Sequence, residues 1–138
     1  MNRVQLFRAL APARQKLLLA ALALTLAARA SLAVTSFRRT VDGFGHVPDS
    51  RGRDVPRSEI RWAVTTAGNQ IPGTTCLPRA LVAHALCRRY GHPSYLYVGV
   101  DRESDEFAAH SWVESREDVV VGDEVDLDRY EMLGVIAS

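Results

Sequence analysis

The chain has 138 residues, 47% hydrophobic and 24% charged, with a formal net charge of +1. That length supports one domain with a real core, and the composition excludes a disordered or low-complexity chain. Two cysteines exclude both a disulfide scaffold and a four-cysteine zinc site. The small net charge hides an asymmetry: residues 1–100 carry 14 basic and 4 acidic groups, and residues 101–138 carry 3 and 12. The two halves can neutralise each other across one fold. With no compact run of five or more Lys/Arg, nucleic-acid binding is not expected.

Residues 17–28 read LLLAALALTLAA, apolar on every face. Arg3, Arg8, Arg14 and Lys16 precede this run and Ala28-Arg29-Ala30 follows it, the order of a secretory signal. The uncharged run is 12 residues, short of the ~20 that a membrane span needs. A packed or partner-facing helix, broken near Pro12, fits the same residues. Residues 38–57 hold three Gly, two Pro and many charges and read as a loop or hinge. The chain thus divides into a Leu/Ala-rich helical segment (1–37), the hinge (38–57) and a core (58–138).

Within the core, Ile60, Ala63, Val64 and Ala67 predict a helix over 58–67. A stronger helix is predicted over 75–90, with Thr74 or Thr75 as N-cap, Leu77, Leu81 and Ala85 on one face, and Gly91 as the stop. Three strands follow: 94–100, 106–114 and 119–123, separated by polar turns at 101–105 and 115–118. Helices followed by an antiparallel β-meander make an α+β fold.

Cys76 falls in the first turn of the 75–90 helix, where unpaired N–H groups and the helix dipole favour a thiolate. Counting back from the 115–118 turn sets Glu114 opposite Val119, Trp112 opposite Val121 and His110 opposite Asp123. A helix-start cysteine followed by a histidine and a carboxylate on successive strands is the order of a nucleophile, its base and the orienter of that base. The Cys76 N–H is a candidate oxyanion donor, and Gln70 a possible second one. Cys87 lies 11 residues along the same helix, about 16 Å away, too far for a disulfide, and reads as core. His84 reads as solvated, with no partners for a metal, and His46 and His92 as loop residues. Without a Walker A or G-x-G-x-x-G loop, no nucleotide cofactor is expected, and no metal.

Cys76-Leu77-Pro78-Arg79-Ala80-Leu81, Arg88-Arg89-Tyr90-Gly91-His92-Pro93, Leu96-Tyr97-Val98-Gly99-Val100 and Phe107-Ala108-Ala109-His110-Ser111-Trp112-Val113-Glu114 together resemble the leader peptidases of lasso-peptide biosynthesis. These are transglutaminase-like (McjB C-terminal) domains with a papain-like core. Ser111 stands where that family usually has Ala. The resemblance covers roughly residues 57–124. It implies a cysteine peptidase that frees the core of a ribosomally made precursor from its leader, for macrolactam closure by a separate lasso cyclase. It implies Cys76 as nucleophile, His110 as general base then acid, and Asp123 as orienting acid, with Glu114, Asp118 and Glu124 as nearby carboxylates. It further implies a cytoplasmic protein with a packed N-terminal helix, and a separate leader-recognition partner. The rival readings are a same-fold acyltransferase, a non-catalytic precursor-binding subunit, and a protein exported or anchored through residues 1–30. Residues 17–34 are the candidate partner surface, for the precursor, the recognition protein or a membrane.

Overall fold

The computed structural model describes residues 2–44, 54–101 and 108–137. His46, the 102–105 part of the first polar turn and the first two residues of the strand expected at 106–114 lie outside them. The fold is α+β: five helices, then a four-stranded antiparallel sheet in the order β3-β2-β1-β4. The helices are α1 (Arg3–Arg8), α2 (Pro12–Val34), α3 (Phe37–Phe44), α4 (Arg57–Gln70) and α5 (Cys76–Arg89). The strands are β1 (Tyr95–Asp101), β2 (Ala108–Ser115), β3 (Asp118–Val121) and β4 (Tyr130–Ala137).

Local chemistry explains most of the boundaries. Pro12 occupies the first position of α2, where its missing N–H is no loss. Helix α5 ends in a paired-hydrogen-bond stop: His92 N donates to Cys87 O at 2.8 Å and Gly91 N to Arg88 O at 3.1 Å, with Gly91 at φ +78°.

Helices α2, α4 and α5 pack on one another, and α5 packs on the sheet. Leu17, Leu18, Ala21 and Ala28 of α2 enter the same core as Ile60 and Val64 of α4, Leu81, Val82 and Leu86 of α5, and Leu96, Val113, Val120 and Val121 of the sheet. Truncating Leu81 or Leu86 to Ala would cost about 2–5 kcal/mol. Helix α2 is also clamped to α4 by two Arg14–Glu59 hydrogen bonds, at 2.7 and 2.9 Å, with the Arg14 guanidinium over the Trp62 ring. It is long and apolar enough to cross a membrane, yet one whole face of it is core.

Four expectations need correction. Residues 37–44 form α3 rather than loop, because Val41 and Phe44 pack on the core and the buried Thr40 hydroxyl bonds to Ser31 Oγ at 2.6 Å. The sheet has a fourth strand, β4, which pairs with β1 and so leaves the meander order. A bulge between Val113 and Glu114 adds one residue on β3: Glu114 pairs with Val119 as counted, but Val121 pairs with Val113 rather than Trp112. The count that set His110 opposite Asp123 is therefore displaced by one residue. Finally, His84 is buried, not solvated, and its Nδ1 lies 2.7 Å from the Ser94 hydroxyl. His92 is half-buried against the Val55 carbonyl, at 2.6 Å.

Candidate active site

Cys76 is the first residue of α5, after an extended Thr75 at the N-cap, and it is half-buried. Thr75 makes no side-chain capping bond. Pro78 in the first turn removes an N–H that would otherwise lack an intrahelical acceptor. The thiol thus sits at the positive end of a 14-residue helix, beside backbone donors available to a developing oxyanion. Cys87 differs: it is fully buried, and burial pushes its thiol up to about 12.

Two grooves touch the first turn of α5, and Cys76 itself lines neither. One, about 410 Å³, runs between α2 and α5, lined by Arg29, Leu32, Gly73, Thr75 and Leu77. The other, about 370 Å³, lies between Arg61 and Thr65 of α4, Arg79 of α5, and Val121–Glu124. Arg79 lies flat against Gly68, where a Cβ would come within 2.7 Å of its guanidinium carbon, and donates to Asn69 Oδ1 at 3.1 Å.

His110 is buried near the start of β2. Its Nε2 is 2.7 Å from the carbonyl oxygen of Gly122. A carbonyl only accepts, so Nε2 carries a proton, and in the neutral ring this tautomer has its lone pair on Nδ1. Gly122 has φ +100°, and a Cβ there would fall 2.5 Å from Trp112 Cβ and 2.8 Å from Ser111 O. Only glycine brings this backbone over β2 and delivers its carbonyl to the ring. Gly99 is directly opposite His110 in β1, and its missing side chain makes room for Trp112 and Tyr130. The Tyr130 ring is 5.3 Å and the Trp112 ring 6.2 Å from the imidazole, and Tyr97 stacks on Trp112 at 5.4 Å.

Strand alternation sets His110 and Trp112 on the face of β2 opposite Val113, whose side chain is in the helical core. The Gly122 turn that holds His110 lines one groove with Arg79 of α5. Among the described residues no hydrogen bond joins Cys76 to His110. The Asp123 carboxylate is held by Arg61, at 2.8 Å and 3.0 Å, which keeps it below the usual carboxylate range. The structure therefore places Asp123 one residue past the group that holds His110, with its charge committed to α4. Glu114 is opposite Tyr95 in β1 and diagonal to Tyr97, whose phenol pKa it raises after burial has done so. Gln70 ends α4 and lines a separate groove with Leu6, Phe7 and Leu22. Gly122 was not singled out from the sequence; its position between a β-rich run and the acidic stretch 123–128 was the available signal.

The described residues hold no cluster of three or more His, Cys, Asp or Glu able to ligate a metal. No curated protein and no solved structure matches the chain. A family model does, over residues 10–135, nearly its whole length. With its helix-borne cysteine, its antiparallel sheet and this match, the chain belongs to the transglutaminase-like superfamily.

Proposed function

We propose that this protein is a cysteine peptidase that removes the leader from a ribosomally made lasso-peptide precursor, exposing the α-amine that a separate cyclase joins to a side-chain carboxylate. The superfamily supports cysteine-based acyl chemistry in general. The finer reading rests on the Cys-Leu-Pro-x-Ala and Ala-His-x-Trp-Val blocks of this sequence. The observation that carries it is the placement of Cys76, half-buried, at the first position of α5, where its neighbours Thr75 and Leu77 line an open groove between α2 and α5.

In this reading the Cys76 thiolate attacks the carbonyl, and the backbone N–H groups of the first α5 turn take up the oxyanion. His110 Nδ1, the ring nitrogen with the lone pair, accepts the thiol proton and passes it to the leaving amine. Water, deprotonated by the same nitrogen, then attacks the thioester. One water is consumed, one peptide bond is broken and the thiol is regenerated. The reading requires Nδ1 and Sγ to come together in the substrate complex, although strand alternation sets His110 on the sheet face away from the helical core in the free protein. Asp123 acts as a positioning residue, fixing the 122–123 turn through Arg61. A separate leader-recognition protein presents the precursor.

The test is mass spectrometry of a precursor incubated with this protein and its recognition partner, wild type beside Cys76→Ala. Two fragments from wild type alone, summing to precursor plus one water, are expected. A product joined to an added amine would instead make the protein an acyltransferase, and cleavage by Cys76→Ala would end the proposal.

A further inference from the structure

We propose that the outer face of α1 and α2 docks this protein on an anionic lipid surface. Along α2 the solvent face reads Lys16, Leu19, Ala23, Leu26, Ala30 and Val34, steps of three or four that form one stripe. It runs about 27 Å at 1.5 Å per residue and is apolar beyond Lys16. Arg29, the one charge beyond Lys16 within that length, lies beside the stripe and donates to the Pro72 carbonyl at 2.8 Å. Leu19, Leu26 and Val34 are each more than half exposed, and so are Val4 and Leu6 of α1. Beside the stripe, Leu6, Leu10, Leu19, Leu22 and Trp62 line an open apolar groove of about 520 Å³.

Charge says what covers this face. Residues 1–44 carry seven basic groups and a single acidic one, Asp42. Arg3, Arg8 and Lys16 are exposed at one end of the stripe and Arg38 and Arg39 at the other. A helix from a second copy, parallel or antiparallel, would bring cation against cation at both ends. A bilayer rich in anionic headgroups meets cations at both ends and takes the leucines between them at its hydrocarbon boundary. The helix lies on the surface rather than across it, because Leu17, Leu18, Ala21, Thr25 and Ala28 on its other face are core.

The full chain is sedimented with vesicles of phosphatidylcholine alone or mixed with phosphatidylglycerol, at low and high salt. Binding to the anionic vesicles, weakened by salt, is expected, with little to phosphatidylcholine alone. Leu19→Gln/Leu26→Gln, both at exposed sites, and separately Arg38→Gln/Arg39→Gln should each weaken it by about ten-fold, with unchanged circular dichroism and Tm. Failure to bind anionic vesicles would overturn the proposal, as would equal binding by both folded variants. A lipid-independent oligomer that these substitutions dissolve would give the face to a second copy and overturn it too.

Discussion

The Nε2 of His110 donates to the carbonyl of Gly122 over 2.7 Å, inside a shell formed by Trp112 and Tyr130. The imidazole is thus oriented by the main chain at the end of β3. Among the described residues no side-chain carboxylate bonds the ring, and Asp123 is held by Arg61 beside that turn. The sequence expectation is that Asp123 itself holds the ring; in this structure its carboxylate is on Arg61.

The first consequence concerns Gly122. An alanine Cβ would collide with Trp112 at 2.5 Å and with the Ser111 carbonyl at 2.8 Å, and φ +100° is strained for any side chain. Gly122→Ala should lose roughly 2–4 kcal/mol of stability, read as a drop in the urea midpoint. It should also loosen the His110 tautomer, read from imidazole ¹⁵N shifts. A variant as stable as wild type, with the same shifts, would show that the turn is not built as described.

Asp123 separates direct from indirect orientation. If its carboxylate only fixes the turn through Arg61, Asp123→Asn and Arg61→Gln should slow peptide cleavage alike, and each by far less than the roughly 10⁴-fold expected when a directly bonded orienting acid is lost. Both should change stability by less than about 1 kcal/mol, because the ion pair is substantially exposed. A collapse of activity in Asp123→Asn alone, with Arg61→Gln unaffected, would restore a direct hand on His110.

Thiol chemistry gives a test that needs no substrate. Cys76 is half-buried at a helix start, whereas Cys87 is fully buried with its thiol pushed up to about 12. Iodoacetamide should modify the folded protein once, at Cys76, and twice only after unfolding. Peptide mapping reads the site directly. In His110→Gln the pH dependence of Cys76 alkylation should change if Nδ1 is the base that meets Sγ, and should be identical to wild type if the two never meet.

What was legible follows the strength of local signals. Helix α5 was readable because Thr75, the Leu77–Leu81–Ala85 spacing and Gly91 agree. The Glu114–Val119 pairing was readable because a two-residue turn fixes it. The next pair was not, since one inserted residue in β3 leaves no mark in a run of three valines. Strand β4 was missed because it is exposed on both faces, so Met132 and Leu133 fall side by side without alternation. Helix α3 was hidden by Gly43 and its charges, and is stabilised by packing rather than propensity. His84 was misread because its partner, Ser94, lies beyond the helix stop.

The β2–β3 turn offers a gain in stability. Arg116 and Glu117 both have positive φ, at 51° and 72°, the conformation of a two-residue hairpin turn that favours Asn-Gly. Replacing the pair as Arg116→Asn/Glu117→Gly should relieve strain in two non-glycine residues and raise stability by roughly 1 kcal/mol, provided the turn keeps its register. Thermal unfolding of this surface variant reads the gain directly. A fall in Tm would mean that the arginine or glutamate contributes more than its backbone strain costs.

His84 should make this fold sensitive to mild acid. Burial first, and the nearby Arg88 second, lower its pKa to about 4, against 6.5 for the free side chain. Above pH 6.5 the ring is neutral whether the chain is folded or not, so it adds no pH dependence. Between pH 6.5 and 4 the unfolded chain takes up a proton that the folded chain refuses, and stability falls as pH falls. The shift corresponds to about 3 kcal/mol lost across that window. The Ser94 hydroxyl, 2.7 Å from Nδ1, is the hydrogen-bond partner of the ring among the described residues. In His84→Asn the urea-derived stability should be lower than wild type at pH 7, yet fall less steeply between pH 6.5 and 4.5. Parallel curves for the two proteins would place the acid sensitivity elsewhere, in carboxylates such as Glu59 that Arg14 holds below the usual carboxylate range.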